Sequence, residues 1–408
     1  MLLASAALAI FLFVIAVYFS FFILLYLSAK SKSNYVSKVA EVEKSLIDLP
    51  SVSIIVNAFN ESRIIGRKID DISKLDYPSE KVEVIVIDDN SIDDTGVLAE
   101  KALAESNLKG EVLRNSERLG LNKSLNIAFA KARNSVICVT DSDVLLEPSA
   151  LKKAVSVLRN FENAGGVTGR AVPIASASNA AISTENSYRS YYDRSMLSES
   201  SFHSAFPGNG PLVVFDKTIM NPSIPEAYGS TDGNIAMNVI KSGKRFLYVP
   251  GALIYEPVAE SFHDQKLQKV RRAKRLIQVM LHNYNVFGNK KYGKFGTRLF
   301  PLKFLLYVIC PTLTLSGVIL FSLFLAFIPA SFPLQIGLFL SFSVSLAALS
   351  FSHSIRNFFF SYVFHQVYLI IGLFSALRKN NFWKTIDRKQ NFPNSDAQAE
   401  NVFVTNTQ

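Results

Sequence analysis

A chain of 408 residues, 49% of them hydrophobic, is longer than one ordinary domain and can bury a sizeable core. Its formal net charge of +10 raises nucleic acid or an anionic membrane surface as partners. Its two cysteines, Cys138 and Cys310, sit far apart in apolar runs, which excludes a disulfide framework or a cysteine metal knuckle and gives no sign of an oxidised secreted domain.

Residues 1–29 carry no charged side chain and are long enough to cross a bilayer. They lack a basic n-region and a small-residue cleavage pattern, so they read as an uncleaved transmembrane anchor. Lys30, Lys32, Lys38 and Lys44 follow, and the positive-inside rule then places the next part, a folded domain expected over 30–262, in the cytoplasm.

Within that domain, β-branched apolar runs alternate with helical stretches. The runs are "VSIIVN" (52–57), "VEVIVID" (82–88) and "SVICVTD" (135–141), with helices expected around 61–73, 94–106 and 122–133. Unbroken apolar strands between helices predict a parallel sheet covered on both faces. Ligands of such sheets bind beyond the carboxyl ends of the strands. Those ends are polar here: Asn57, Asn60 and Glu61 after the first, Asp88, Asp89, Asn90 and Ser91 after the second, and Asp141 with Asp143 at the third. A later helix is expected over 233–242, stopped by Gly243.

Residues 265–303 hold eleven Lys or Arg and no Asp or Glu, which is the whole positive excess of the chain. Directly before a membrane segment, a basic helical region over 263–303 reads as lying on anionic lipid head groups, not on nucleic acid, with some arginines available to a phosphate. Between Lys303 and Arg356 no side chain is charged, and Pro329 and Pro333 divide that span into crossings at 304–328 and 334–352. A third uncharged run, 357–377, is interrupted by His365 and Gln366. Three crossings after a cytoplasmic domain would put the basic tail (378–408, with Trp383 as an interfacial anchor) on the far side, against the charge rule. Either one segment, foremost the last, is re-entrant or interfacial, or the tail breaks the rule.

No G-x-G-x-x-G follows the first strand and no G-x-x-x-x-G-K-[ST] exists, so neither a dinucleotide fold nor a P-loop is supported. Asp141 and Asp143 stand one residue apart, where two like charges repel. A phosphatase nucleophile would belong after the first strand, whereas here the acidic end at Asp88 comes earlier. A seat for a divalent cation stays open, since carboxylate oxygens suit Mg²⁺ or Mn²⁺, as does the plain reading of two exposed acids in a turn before Pro148.

In order along the chain stand "IIVNAFNE", "VIDDNSIDD", "LNKSLNIAFA", "VTDSDV", "PGNG", "STDGNIAMNVIKSGKRFLYVP" and "QKVRRAKR". That series, covering about 50–275, resembles the family 2 glycosyltransferases of GT-A fold. It is most similar to their membrane-embedded branch, which includes cellulose, chitin and hyaluronan synthases and simpler lipid-linked sugar transferases. The resemblance implies an α/β architecture: a GT-A (nucleotide-diphospho-sugar transferase) domain with one N-terminal and two to three C-terminal transmembrane helices. It also implies a multi-pass protein of the cell membrane with a cytoplasmic catalytic domain. The reaction implied is inverting transfer of a sugar from a nucleotide sugar, a UDP-sugar foremost and a GDP-sugar otherwise, to a hydroxyl of a lipid-linked or glycan acceptor.

Residue roles follow from the same resemblance. Asp143 binds Mg²⁺ or Mn²⁺, Asp141 contacts ribose or metal, Asp88 and Asp89 meet the base, and Lys123 approaches the donor, beside Asn57, Asn60 and Glu61. Ser91 and the acids after it are alternatively helix caps, and Lys123 a solvated helix residue. Gly208, Asn209 and Gly210, with Gln268, Arg271 and Arg272, belong to the acceptor and diphosphate; a membrane-facing basic helix is the alternative for the arginines. Asp232 takes the place of the acceptor base, although Ser230-Thr231-Asp232 lacks the glutamate of the family's T-E-D, and it alternatively caps its helix. Arg272 stands where processive synthases carry tryptophan, which argues against a long-chain polymerase. His203 and His263 read as structural or acceptor-side, with a metal-ligand role for His263 as the alternative. The other two function classes are a processive synthase that extrudes its polymer and a non-catalytic membrane protein that keeps the fold.

Overall fold

The structure is a computed structural model that describes residues 2–27, 29–44, 48–174, 180–218, 223–259, 261–327, 337 and 353–376. The expected crossing at 334–352, apart from Gly337, and the tail with Trp383 lie outside the described residues.

The three expected strands form as Val52–Ala58 (β1), Val82–Asp88 (β2) and, after Lys109–Arg114 (β3), Val136–Asp141 (β4). The helices Ile65–Ser73 (α3), Thr95–Glu105 (α4) and Leu121–Lys131 (α5) lie between them, after Leu2–Leu27 (α1) and Ala29–Lys44 (α2). Next come Leu145–Leu146 (β5), Ala150–Asn160 (α6), Ala164–Ile174 (β6), Ala180–Phe202 (α7), Val213–Asp216 (β7), Thr231–Lys241 (α8), Arg245–Pro257 (β8) and Phe262–His282 (α9). All eight strands among the described residues join one sheet in the order β3-β2-β1-β4-β7-β6-β8-β5.

The parallel sheet expected from the sequence holds across β3-β2-β1-β4 and returns between β6 and β8, with β7 interrupting it. β1 is parallel to β2 and β4, and β2 to β3, but β7 runs antiparallel to both β4 and β6. The segment before β7, Gly208 to Pro211, already stands beside Asp141 at the carboxyl end of β4. β7 therefore enters the sheet from that end and runs back against β4.

Alternate side chains of the central strands feed two cores. Ile54, Val56, Val84, Val86 and Cys138 meet Ile65, Ile69, Ala99, Leu151 and Val155 on one face. Ile55, Ile85, Ile87, Ile137 and Val139 meet Leu125, Phe129, Ile235, Val239 and Ile277 on the other. Burial on both sides is why these strands read as unbroken apolar runs. Both cysteines are buried and unpaired.

Two described helical stretches, Ser5–Ile23 and Phe295–Phe324, are long and apolar enough to cross a membrane. They pack together through Val14, Val17 and Phe21 against Leu306 and Cys310. The second stretch begins earlier than the expected 304, because the charge at Lys303 is absorbed within the protein: Lys303 Nζ lies 2.6 Å from Glu199 Oε1 of α7, both fully buried. The last described helix, His353–Ala376, packs along α9, where a Cβ at Gly372 would stand 2.8 Å from that of Ala273.

Candidate active site

At the carboxyl end of β1, two loops are laced together. The Asn60 N–H donates to Ser91 Oγ at 2.9 Å, the Ile92 N–H donates to Asn60 Oδ1 at 3.0 Å, and the Glu61 N–H donates to Thr95 Oγ1 at 2.7 Å. Asn60 and Asn90 both take positive φ, 57° and 61°, a conformation asparagine tolerates better than most residues. Ser91 is thereby used to hold the β1 loop and does not cap α4, whose N-cap is Asp94.

Asp88 and Asp89 part company. Asp88 is buried, accepts from the Ser91 N–H at 2.9 Å and stays off the cavity described below. Asp89 lines that cavity, but its carboxylate is saturated from within the protein. Oδ1 accepts from Asn115 Nδ2 at 2.9 Å, the Leu119 N–H at 2.8 Å and Ser124 Oγ at 3.0 Å, and Oδ2 accepts from the Gly120 N–H at 2.9 Å. It therefore shapes the loop before α5, whose Arg118 guanidinium lies 3.8 Å from the centre of the Phe59 ring. Asp89→Ala strands these donors and is expected to cost on the order of 3 kcal/mol, read by chemical denaturation, with Asp89→Asn costing less.

Asp141 ends β4, opposite Asn57 of β1 in the sheet register. The turn after it is pinned from α3. Lys68, 1% exposed, donates to the Val144 carbonyl at 3.0 Å, and the Leu146 N–H donates to Asp71 Oδ2 at 3.2 Å. Asp143 is thus held on a short turn between a strand and two buried anchors.

A cavity of about 580 Å³ gathers the predicted groups. Its lining includes Asn57, Asn60, Glu61, Asp89, Asp141, Asp143, Gly208, Asn209, Gly210, Asp232, Arg271 and Arg272. Lys123 and Gln268 are not among the lining residues, nor are His203 and His263; Gln268 faces the interior of α9's packing and His263 is exposed. Asn209 is spent on structure, its N–H donating to Thr168 Oγ1 and its Nδ2 to the Gly169 carbonyl, both at 2.7 Å.

Ser230, not Asp232, is the N-cap of α8, accepting from the Gly233 N–H. At the other end Gly243, φ +84°, donates to Ile240 and Lys244 donates to Val239, the paired bonds of a Schellman stop. With capping done by Ser230, Asp232 is left in the first turn, facing the cavity. Burial raises its carboxyl above the usual range, against lowering by Ser230, nearby N–H groups and Arg275.

The basic stretch is more than a membrane face. In α9, Lys269, Arg271, Arg272 and Arg275 all line the cavity. Burial holds Arg271 below its ordinary range, with Arg272 adding to this and Asp141 and Glu256 opposing it. Burial, then crowding by Arg271, pushes Arg275 down to about 9, with Asp232 and Asp141 opposing. Two crowded, desolvated guanidiniums beside acidic groups form a ready cradle for a diphosphate. Arg272 differs. It pairs with Glu256 at 2.9 Å, Glu256 also holds Arg189 at 2.7 Å, and Arg189 and Lys269 share Glu185 at 3.0 and 3.3 Å. That network locks α9 to α7 and β8.

Among the described residues, no group of three or more His, Cys, Asp or Glu comes together as a metal site. Two carboxylates still suit Mg²⁺ or Mn²⁺, which characteristically take one or two of them and complete the shell with substrate phosphates and water. Asn57 Oδ1, buried on the paired strand with no hydrogen-bond partner, adds a further hard oxygen beside Asp141. The donor set fits such a cation.

Residues 53–211 match the family described as Glycosyl transferase family 2. Over those residues the chain carries a domain of that family. A probable glycosyltransferase, YdaM, of Bacillus subtilis is 34% identical over 129 residues, 31% of this chain and 31% of that protein. The beta-monoglucosyldiacylglycerol synthase of Nostoc sp. is 36% identical over 125 residues, 30% of this chain and 26% of that one. The matches thus span a third or less of these relatives' lengths. The mannosyltransferase PcManGT from Pyrobaculum calidifontis, solved with GDP-Man and Mn²⁺, shares the fold with a TM-score of 0.69 over 92% of this chain and 99% of its own, at 22% identity.

On the cavity wall, the sequence did not point to Arg275, Tyr188 or Tyr192. Arg275 had a signal in its spacing, four residues after Arg271 and so on the same helix face. The tyrosines had none, since α7 reaches the cavity only through long-range packing.

Proposed function

We propose that the protein transfers a sugar, with inversion, from a nucleoside-diphosphate sugar to a hydroxyl of a lipid-linked or glycan acceptor at a membrane surface. The observation that carries this reading is one cavity bordered by Asp141 and Asp143, by Asp232, and by Arg271 with Arg275. UDP-sugars and GDP-sugars are the donors to test; the mannosyltransferase of like fold was solved in complex with GDP-Man.

Chemically, the acceptor oxygen bonds to the anomeric carbon as the bond from that carbon to the β-phosphate oxygen breaks. The acceptor proton passes to the Asp232 carboxylate, and the nucleoside diphosphate leaves. Asp141 and Asp143 would hold Mg²⁺ or Mn²⁺, which supplies neutralisation of the leaving diphosphate. Arg271 and Arg275 meet the same charge from the α9 side. The loop shaped by Asp89, with Phe59 and Arg118, serves the base.

The test is thermal stabilisation of purified protein by a panel of nucleotide sugars. At ligand near one hundred times Kd, a stabilisation of about 2.7 kcal/mol is expected with Mn²⁺. It should vanish with chelator and in Asp143→Asn. Equal stabilisation with chelator would remove the metal from the proposal; no response to any nucleotide sugar would remove the donor.

A further inference from the structure

Lys68 stands where helical spacing calls for an apolar residue. On α3 it shares the buried face with Ile65, Ile69 and Ile72, and it is 1% exposed. A lysine is so enclosed only when its charge is met. Asp71, one turn further along the helix, lies 3.4 Å from its Nζ, and Nζ donates to the Val144 carbonyl at 3.0 Å. An apolar side chain of similar length would fill the place without the cost of desolvating an ammonium. What it could not do is bind that carbonyl.

The carbonyl belongs to the residue after Asp143. Asp141 ends β4, in register with Asn57, and β5 begins at Leu145, which pairs with Tyr255 of β8. Ser142, Asp143 and Val144 are the residues between these two pieces of sheet. Past them the chain is well fixed. The Leu146 N–H donates to Asp71 Oδ2 at 3.2 Å, and the Asp76 N–H to the Pro148 carbonyl at 2.8 Å. Lys68 extends this hold to the peptide next to Asp143.

The other end of α3 grows out of the cavity rim. The Glu61 carbonyl accepts from the Ile64 and Ile65 N–H groups, each at 3.0 Å, and Asn60, Glu61 and Ile64 line the cavity. The helix thus runs from the β1 loop to the turn that carries Asp143. Lys68 itself is not a lining residue, so it reaches the site through the backbone.

We propose that Lys68 is a positioning residue for the divalent cation: through the Val144 peptide it holds the Asp143 carboxylate where Asp141 can share the ion. This rests on the metal reading above and adds to it a residue that touches neither ion nor substrate. Asp71 keeps the ammonium charged and aimed. A cation held by two carboxylates depends on their relative placement, which the groups behind them fix.

The test measures Mn²⁺ affinity of the full chain in detergent micelles, well below the Tm of each variant. The electron paramagnetic resonance of free Mn²⁺ is followed without nucleotide and then with UDP or GDP, against protein-free blanks. Lys68→Met should weaken Mn²⁺ binding about tenfold. Lys68→Met/Asp71→Asn removes both buried charges, while the amide oxygen still accepts from Leu146. It should show the same loss, and it serves if the single variant does not fold. Leu103→Ala, in the core beneath α4, controls for plain destabilisation and should bind Mn²⁺ as the parent does. Parent-like affinity in the double variant would overturn the proposal, and so would an equal loss in Leu103→Ala. A parent that takes up no Mn²⁺ with either nucleotide would overturn the metal reading and this proposal together; that result is read on the parent alone, so the two failures are told apart.

Discussion

Asp232→Asn is expected to lower kcat about 10³-fold while Mn²⁺-dependent binding of the nucleotide sugar is retained. Product formation and calorimetry on one preparation separate the two. Burial disfavours the ionised carboxylate, so Asp232 keeps its proton to a higher pH than an ordinary aspartate. The acid limb of kcat/KM should therefore lie above the usual carboxylate pKa. It should move higher still in Arg275→Gln, which removes a cation that favours the ionised form. Linkage gives the same sign for stability. With the folded pKa raised, the group's contribution is present below its unfolded pKa and is lost as pH rises through the folded one. Above its folded pKa, ionised Asp232 is thus a burden on the fold, and there Asp232→Asn should melt no lower than the parent. Full turnover in that variant would end the assignment of Asp232 as base.

Lys303→Met is expected to destabilise the protein by about 3–5 kcal/mol, because it leaves Glu199 buried without its cation. Glu199 is completely enclosed, accepting from Lys303 at 2.6 Å, from Ser195 Oγ at 2.7 Å and from the Phe206 N–H at 3.0 Å. Lys303 also donates to the Phe206 carbonyl. The pair thereby joins the apolar stretch Phe295–Phe324 to α7 and to the segment leading into Gly208 and Asn209 on the cavity wall. In Lys303→Met/Glu199→Gln the uncompensated charge is gone, while the amide oxygen still accepts from Phe206. The double variant should recover most of the loss in a denaturation experiment. If Lys303→Met alone unfolds like the parent, the pair has no structural role.

Much of the site was legible because of where its residues stand in the sheet. β1, β2 and β4 announce themselves as apolar runs, since both of their faces are covered, and the polar residues ending those runs must gather at one rim. That logic anticipated Asn57, Asp89, Asp141 and Asp143 at one rim, and all four line one cavity. It failed for β3, whose sequence KGEVLR lies on an edge with mostly exposed or half-buried residues and so shows no apolar run. It also could not tell Asp88 from Asp89, because successive residues of a strand point to opposite faces and only the packing of the 115–120 loop decides which carboxylate meets the cavity.

The sequence by itself therefore determined the strand–helix frame, the acidic rim, the apolar segments at either end and the basic character of α9. The tertiary structure alone decided how those charges are spent. Arg272 is tied to Glu256, while Arg271 and Arg275 line the cavity together with Asp141 and Asp232. It also decided that Ser230 takes the cap and leaves Asp232 facing the cavity, and that the final described helix closes one cavity wall. Ion pairing and cavity walls arise between segments far apart in the chain, and local spacing carries no record of which distant partner a side chain will meet.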